Sequence, residues 1–144
     1  MTILTIDTRT FIAAAPKALR SECGGLTPAQ FFDRYCERTG PIRLSGWSPA
    51  GNGGSAHAAT LEFTDHLRTI GTTGSPVAAM TSALYDEGYP FEILQFHQRR
   101  TDDGTATFVQ CEVNGRRGWG AAMADGGAES TIRAMIAGVN RLGA

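Results

Sequence analysis

The 144 residues predict an α+β fold in which two pseudo-symmetric βββα units, residues 41–144, form a two-layer sandwich behind a lead-in and short helical subdomain, residues 1–40. Three observations lead there. The first is a repeat. Ala59-Thr60-Leu61-Glu62-Phe63, a polar turn, Arg68-Thr69-Ile70-Gly71, a Gly/Ser turn and a helix-like run over 76–84 return later as Ala106-Thr107-Phe108-Val109, a turn, Arg117-Gly118-Trp119-Gly120, a Gly-rich turn and a helix-like run over 129–142. Duplication of this kind reports pseudo-symmetry. The second is Asn114-Gly115 between two β-rich runs, a strong hairpin signal because both positions accept the positive φ of a type I′ turn. The third is the spacing of Ile132, Met135, Ile136 and Val139 at i, i+3, i+4 and i+7, a single apolar helix face. Each unit exposes one apolar sheet face that one helix covers, so pairing two units makes two layers.

Taken in order, residues 2–6 read as a short strand and residues 11–20, which contain Pro16, as a short helix or an irregular lead-in. Thr27-Pro28-Ala29-Gln30 places a hydroxyl at the N-cap, proline at the first helical position and glutamine at N3. That capping box satisfies two orphaned backbone N–H groups and starts a helix over 28–38 with Phe31, Phe32, Tyr35 and Cys36 on one stripe. Gly40-Pro41 ends it. Residues 42–47 read as a strand and residues 48–55, rich in glycine and serine, as a loop. A hairpin over 57–63 and 67–70 turns at Thr64-Asp65-His66. Ser75-Pro76 then opens a helix with Val77, Met80, Thr81 and Leu84 at helical spacing, and Gly88 stops it. The second unit has a strand over 91–97, a turn at Thr101-Asp102-Asp103-Gly104, and strands over 105–113 and 116–123 before its helix.

Composition narrows the function. Thirteen basic and fourteen acidic residues leave a net charge of -1 with neither sign gathered into a run, so no nucleic-acid partner is expected. Three cysteines, Cys23, Cys36 and Cys111, lack C-x-x-C spacing and suit a reducing, cytoplasmic setting as small hydrophobes rather than reactive thiols. Neither a signal peptide nor a membrane span is expected. His57, His66 and His97 stand apart without the spacing that joins two imidazoles on one metal, and the chain has no G-x-S-x-G, thiol-protease signature or Walker loop. The expectation is no catalytic residue, no metal and no cofactor.

Two glycine turns remain. Residues 71–76 and 120–127 each carry a strand end into a helix N-terminus, where free N–H groups and the positive dipole end can hold the carboxylate of a small zwitterion. Ordinary strand-to-helix turns that need glycine for positive φ explain the same pattern, and spacing leaves both readings open.

From about residue 26 onward the chain resembles the C-terminal allosteric, or dimerisation, region of α-isopropylmalate synthases of leucine biosynthesis, especially the actinobacterial form. The resemblance is carried by Thr27-Pro28 with Phe31 and Phe32, by residues 71–79 in place of a G-x-G-(N/D)-G-P-x-x-A loop, by Gly88-Tyr89, Ile93-Leu94-Gln95-Phe96, Asn114-Gly115-Arg116-Arg117 and Trp119-Gly120, and by Ala137-Gly138-Val139-Asn140-Arg141. It implies a homodimer that binds leucine, or a related branched-chain amino or 2-oxo acid, between the repeats and across the dimer. Carried onto this sequence, the effector-binding residues are Thr73, Gly74, Ser75, Val77, Ala78, Ile93, Phe96, Arg100, Gly120 and Met123. Thr73, Ser75 and Ala122 replace family glycines, Phe96 a usual tyrosine and Arg100 a usual small alanine. The family's catalytic part is a TIM barrel of about 250 residues, for which the stretch before the matching region has no room. The chain is therefore expected not to be an enzyme on its own. The alternatives are an accessory subunit that serves a synthase catalytic chain in trans, and a purely structural dimer.

Overall fold

A computed structural model describes residues 8–36, 40–48, 58–71 and 75–143. The element order is α1 (Thr8–Ala13), α2 (Lys17–Glu22), α3 (Pro28–Tyr35), β1 (Arg43–Ser48), β2 (Ala58–Glu62), β3 (Leu67–Gly71), α4 (Pro76–Asp86), β4 (Phe91–Thr101), β5 (Gly104–Val113), β6 (Arg116–Ala124) and α5 (Gly127–Gly143). Strands β1-β2-β3 form one antiparallel sheet and β4-β5-β6 another, each followed by its helix. The expected βββα repeat is present. The strand expected over 2–6 and most of the loop expected over 48–55 lie outside the described residues.

Local signals act as the residue types dictate. Thr27 Oγ1 accepts from the Gln30 backbone N–H at 3.2 Å while the Gln30 side chain accepts from Thr27 N at 2.9 Å, closing the capping box of α3. Asn114 and Gly115 hold φ values of 52° and 81°, as a type I′ turn requires. Pro16 divides the lead-in into two helices, because a proline lacks the N–H that would continue α1 and suits the start of α2.

One apolar cluster joins both repeats. Leu61 and Ile70 from the first sheet, Met80 and Leu84 from α4, Cys111 and Val113 from β5, and Ile132, Met135, Ile136 and Val139 from α5 are all buried in it. The four α5 residues are the apolar face read from the sequence. A second cluster covers the opposite face of the β4-β5-β6 sheet: Phe11, Leu19, Phe31 and Tyr35 of the N-terminal helices pack on Ala106, Phe108, Trp119 and Ala121. Phe11 stacks on Phe108 with ring centroids 5.3 Å apart. The second sheet is thus covered on both sides, which explains why residues 104–109 of β5 are buried without alternation.

Glycine governs how closely α5 approaches the sheet. A Cβ at Gly120 would lie 2.3 Å from the Ala134 carbonyl oxygen and 2.6 Å from the Gly138 nitrogen, and one at Gly138 would lie 2.6 Å from Cys111 Sγ. Two residues after Gly138, the buried Asn140 reaches the start of β1, accepting from Ile42 N at 3.0 Å and donating to Ile42 O at 2.7 Å. Its amide pairs with both polar groups of one buried residue, as a neighbouring strand would.

Two substitutions test this packing. Gly120→Ala should cost about 3 kcal/mol or more in urea unfolding, at the upper end of overpacking because the obstacle is backbone. A loss under about 1 kcal/mol would show that α5 can lift away freely. Asn140→Ala should cost about 2 kcal/mol or more by stranding the buried N–H and C=O of Ile42; a neutral result would mean water replaces the amide.

Candidate effector site

The titratable groups come first, because catalysis would need them. Burial pushes the Cys111 thiol up to about 12 and also raises the thiol of Cys23, so both are held as neutral thiols, the opposite of an activated nucleophile. Tyr35 is likewise raised to about 12, chiefly by burial, and donates to Glu22 Oε2 at 2.7 Å beneath the Arg141 guanidinium. Among the described residues no group of three or more His, Cys, Asp and Glu side chains could hold a metal ion. His57 lies outside the described residues. His97 approaches Gln95 Oε1 at 3.3 Å.

His66 is the exception in charge environment. Its Nδ1 lies 2.6 Å from Asp65 Oδ1 and its Nε2 2.7 Å from Glu87 Oε1, an arrangement that gives both carboxylates a donor only when the ring is an imidazolium. Arg68 adds bonds of 3.2 Å to Glu87 and 3.0 Å to Asp86, and the imidazole stacks on Phe63. This network ties the β2–β3 turn to the C-terminal end of α4. It is a clamp between elements on the surface.

The effector residues expected from the resemblance fall into three places. Thr73 and Gly74 lie outside the described residues. Ser75 is the N-cap of α4, its hydroxyl accepting from Ala78 N at 3.1 Å; Ala78 is exposed and Val77 packs against the main core, where Ile93 also packs. A shift in register between Ile93 and Gln95 then sets Phe96 opposite Val109, Gln98 opposite Thr107 and Arg100 opposite Thr105. Those partners lie on the α5 side of the sheet. Ile93 and Phe96 thus share the α5 side of the sheet, Val77 and Ile93 both pack against the main core, and Phe96 is 42 % exposed.

The second glycine turn is differently occupied. Arg100 donates to Thr105 Oγ1 at 3.1 Å and to the Asp125 carbonyl at 2.6 Å, and so pins β4 to the loop before α5. Gly120 lies in the same cross-strand row as Val109 and Phe96, but beneath α5. Met123 sits opposite Ala106, on the sheet face that the N-terminal helices cover. Gln98, which sequence reasoning did not single out, donates through Nε2 to Thr107 Oγ1, Gly127 O and Thr131 Oγ1 at 2.9, 3.0 and 3.1 Å. Its amide fills the first turn of α5. A glutamine at that strand position, facing a threonine and followed by a helix with Gly127 and Thr131, is the signal that could have found it.

No family model matches the chain. The 2-isopropylmalate synthase of Mycobacterium leprae is 27% identical over 145 aligned positions, covering 91% of this chain and 24% of that protein. By sequence, the chain is similar to part of 2-isopropylmalate synthase. The Corynebacterium glutamicum enzyme gives 28% identity over 120 positions, covering 77% of the chain and 20% of that protein. That of Renibacterium salmoninarum is 30% identical over 78 positions, which is 51% of the chain and 13% of that protein. The chain therefore spans a quarter or less of each of these synthases, and the resemblance read from its motifs holds. Among the described residues no helix is long and apolar enough to cross a membrane.

The His66 clamp makes a pH prediction. Asp65 first and Glu87 second raise the imidazole above its ordinary 6.5, and His66 in turn lowers Asp65. A raised folded pKa means that the stability from His66 is present below its unfolded value and is lost as pH rises through the folded one. Asp65 works in the opposite sense, its contribution fading as pH falls through its lowered folded value. An NMR titration should place the His66 midpoint above 6.5, moving back towards it in Asp65→Asn. A wild-type midpoint at or below 6.5 would contradict the clamp.

Proposed function

We propose that this chain is a non-catalytic regulatory and dimerisation domain that binds leucine or a related branched-chain amino or 2-oxo acid, acting in the cytoplasm. The carrying observation is the half-exposed Phe96 on the same side of β4 as Ile93, which packs together with Val77 of α4 against the main core, two residues from the N-cap Ser75. A branched aliphatic side chain finds apolar surface on Phe96, Ile93 and Val77. Its carboxylate finds the N–H groups and positive dipole end of an 11-residue helix. Similarity to part of a leucine-pathway synthase supports this choice of ligand.

Arg100 enters this reading as a support, since its guanidinium already serves Thr105 and Asp125. Gly120 and Met123 do so as well, through the seating of α5 and of the N-terminal helices. The homodimer is supported by β4, an 11-residue strand that among the described residues pairs with β5 on one side only. An exposed edge of that length is a template for pairing with a second copy. A second reading is an accessory chain serving a synthase catalytic chain in trans, supported by the similarity to part of 2-isopropylmalate synthase.

The test is a thermal-shift screen across the amino acids and branched 2-oxo acids. A ligand at 100 times its Kd adds about 2.7 kcal/mol, a shift on the order of 10 °C for a domain of this size. Leucine or a close relative should produce it, and Phe96→Ala should remove it while leaving the unliganded protein folded. No shift with any of these compounds, or an undiminished shift in Phe96→Ala, would rule the reading out.

A further inference from the structure

The β4-β5-β6 sheet has a second side, and there the register turns His97 and Arg99 towards the N-terminal helices, opposite Phe108 and Ala106. They line a cleft of about 280 Å³ with Ala14, Ala15, Pro16 and Arg20 from the α1–α2 junction and the start of α2. The floor is made of two alanines and a proline, whose short side chains leave the space open. Among the described residues no carboxylate lines it. The nearby Glu22 is engaged by the Tyr35 hydroxyl.

The arginines of this protein are mostly spoken for. Arg43, Arg68, Arg117 and Arg133 pair with carboxylates, while Arg100, Arg116 and Arg141 donate to backbone carbonyls. Arg20 and Arg99 differ. Among the described residues neither guanidinium makes an ion pair or hydrogen bond, yet the fold brings both to one cleft from distant parts of the chain. Two like charges that line one cleft repel, so their convergence is favoured when an anion lies between them. A guanidinium presents a planar fork of donors that matches carboxylate and phosphate oxygens two at a time.

We propose that this cleft binds a small dianion, a dicarboxylate or a phosphate ester, with its anionic oxygens shared between Arg99 and Arg20, and His97 as a third polar wall. Its volume lies just below the range of drug-sized pockets, which suits a ligand of that size. Occupancy joins the N-terminal helices to the edge strand, so the ligand stabilises the docking of α1 and α2. The site is separate from the effector surface, which lies on the other side of the same strand.

Isothermal titration with succinate and with inorganic phosphate, each at fixed ionic strength against sodium chloride, tests this. The expected result is saturable one-to-one binding by at least one of the two, and which one binds distinguishes a dicarboxylate from a phosphate source. Arg20→Gln and Arg99→Gln should each weaken it at least tenfold, whereas Phe96→Ala leaves it unchanged. In the unmodified protein, amide NMR shifts on titration should centre on residues 14–20 and 97–99, a readout that does not depend on any variant folding. Absence of saturable binding, shifts centred elsewhere, an equal response to chloride, or affinity unaltered in both arginine variants would overturn the proposal.

Discussion

The fold depends on how closely α5 lies against β5 and β6. At Gly120 and Gly138 two backbones approach so nearly that neither position has room for a methyl group, and the sulfur of Cys111 fills what space is left beside Gly138. This approach lowers the apolar face of α5 into the cluster that both repeats share. It also carries Asn140 to Ile42, where one buried amide satisfies the N–H and C=O at the head of the first sheet. A helix held further out would leave those groups unpaired and open a gap among Ile132, Met135 and Leu61.

From that seat follows the arrangement of the edge strand. With α5 covering one face of the second sheet and the N-terminal helices the other, β5 is buried on both sides, and β4 is left as the strand where the covered sheet meets solvent. Its register shift after Ile93 divides the exposed part into two chemistries. Phe96, Gln98 and Arg100 look to the α5 side, and His97 and Arg99 to the other. One strand thereby presents an exposed aromatic ring on one side and a cationic cleft on the other.

Much of this was legible in the chain. Periodicity and turn chemistry located the two hairpins and both long helices to within a few residues, because Asn114-Gly115, Ser75-Pro76 and the Ile132 to Val139 spacing each act through local geometry. The length of β4 was not legible. Residues 98–101 are polar, all but the half-buried Thr101 are exposed, and they are extended because β5 supplies hydrogen-bond partners. Nor could spacing tell that Pro16 separates two helices rather than ending an irregular stretch. At the candidate site, the motif carried Ile93 and Phe96 to one side of β4 and Val77 with Ile93 to the edge of the core, since these are apolar residues of the repeat. What Gly120 and Arg100 touch depends on α5 and Asp125, and the cleft between Arg20 and Arg99 on contacts between remote segments, which no local pattern encodes.

If α5 is the element that makes the two repeats one body, they should open together. Native-state hydrogen exchange measures this most directly, by comparing the amide of Ile42 and those of β2 with the amides of β5 and the middle of α5. The account predicts that all of them exchange through the same global opening, with equal free energies and equal denaturant dependence. Exchange of Ile42 and β2 through a separate, lower-energy opening, while β5 and α5 stay protected, would contradict it.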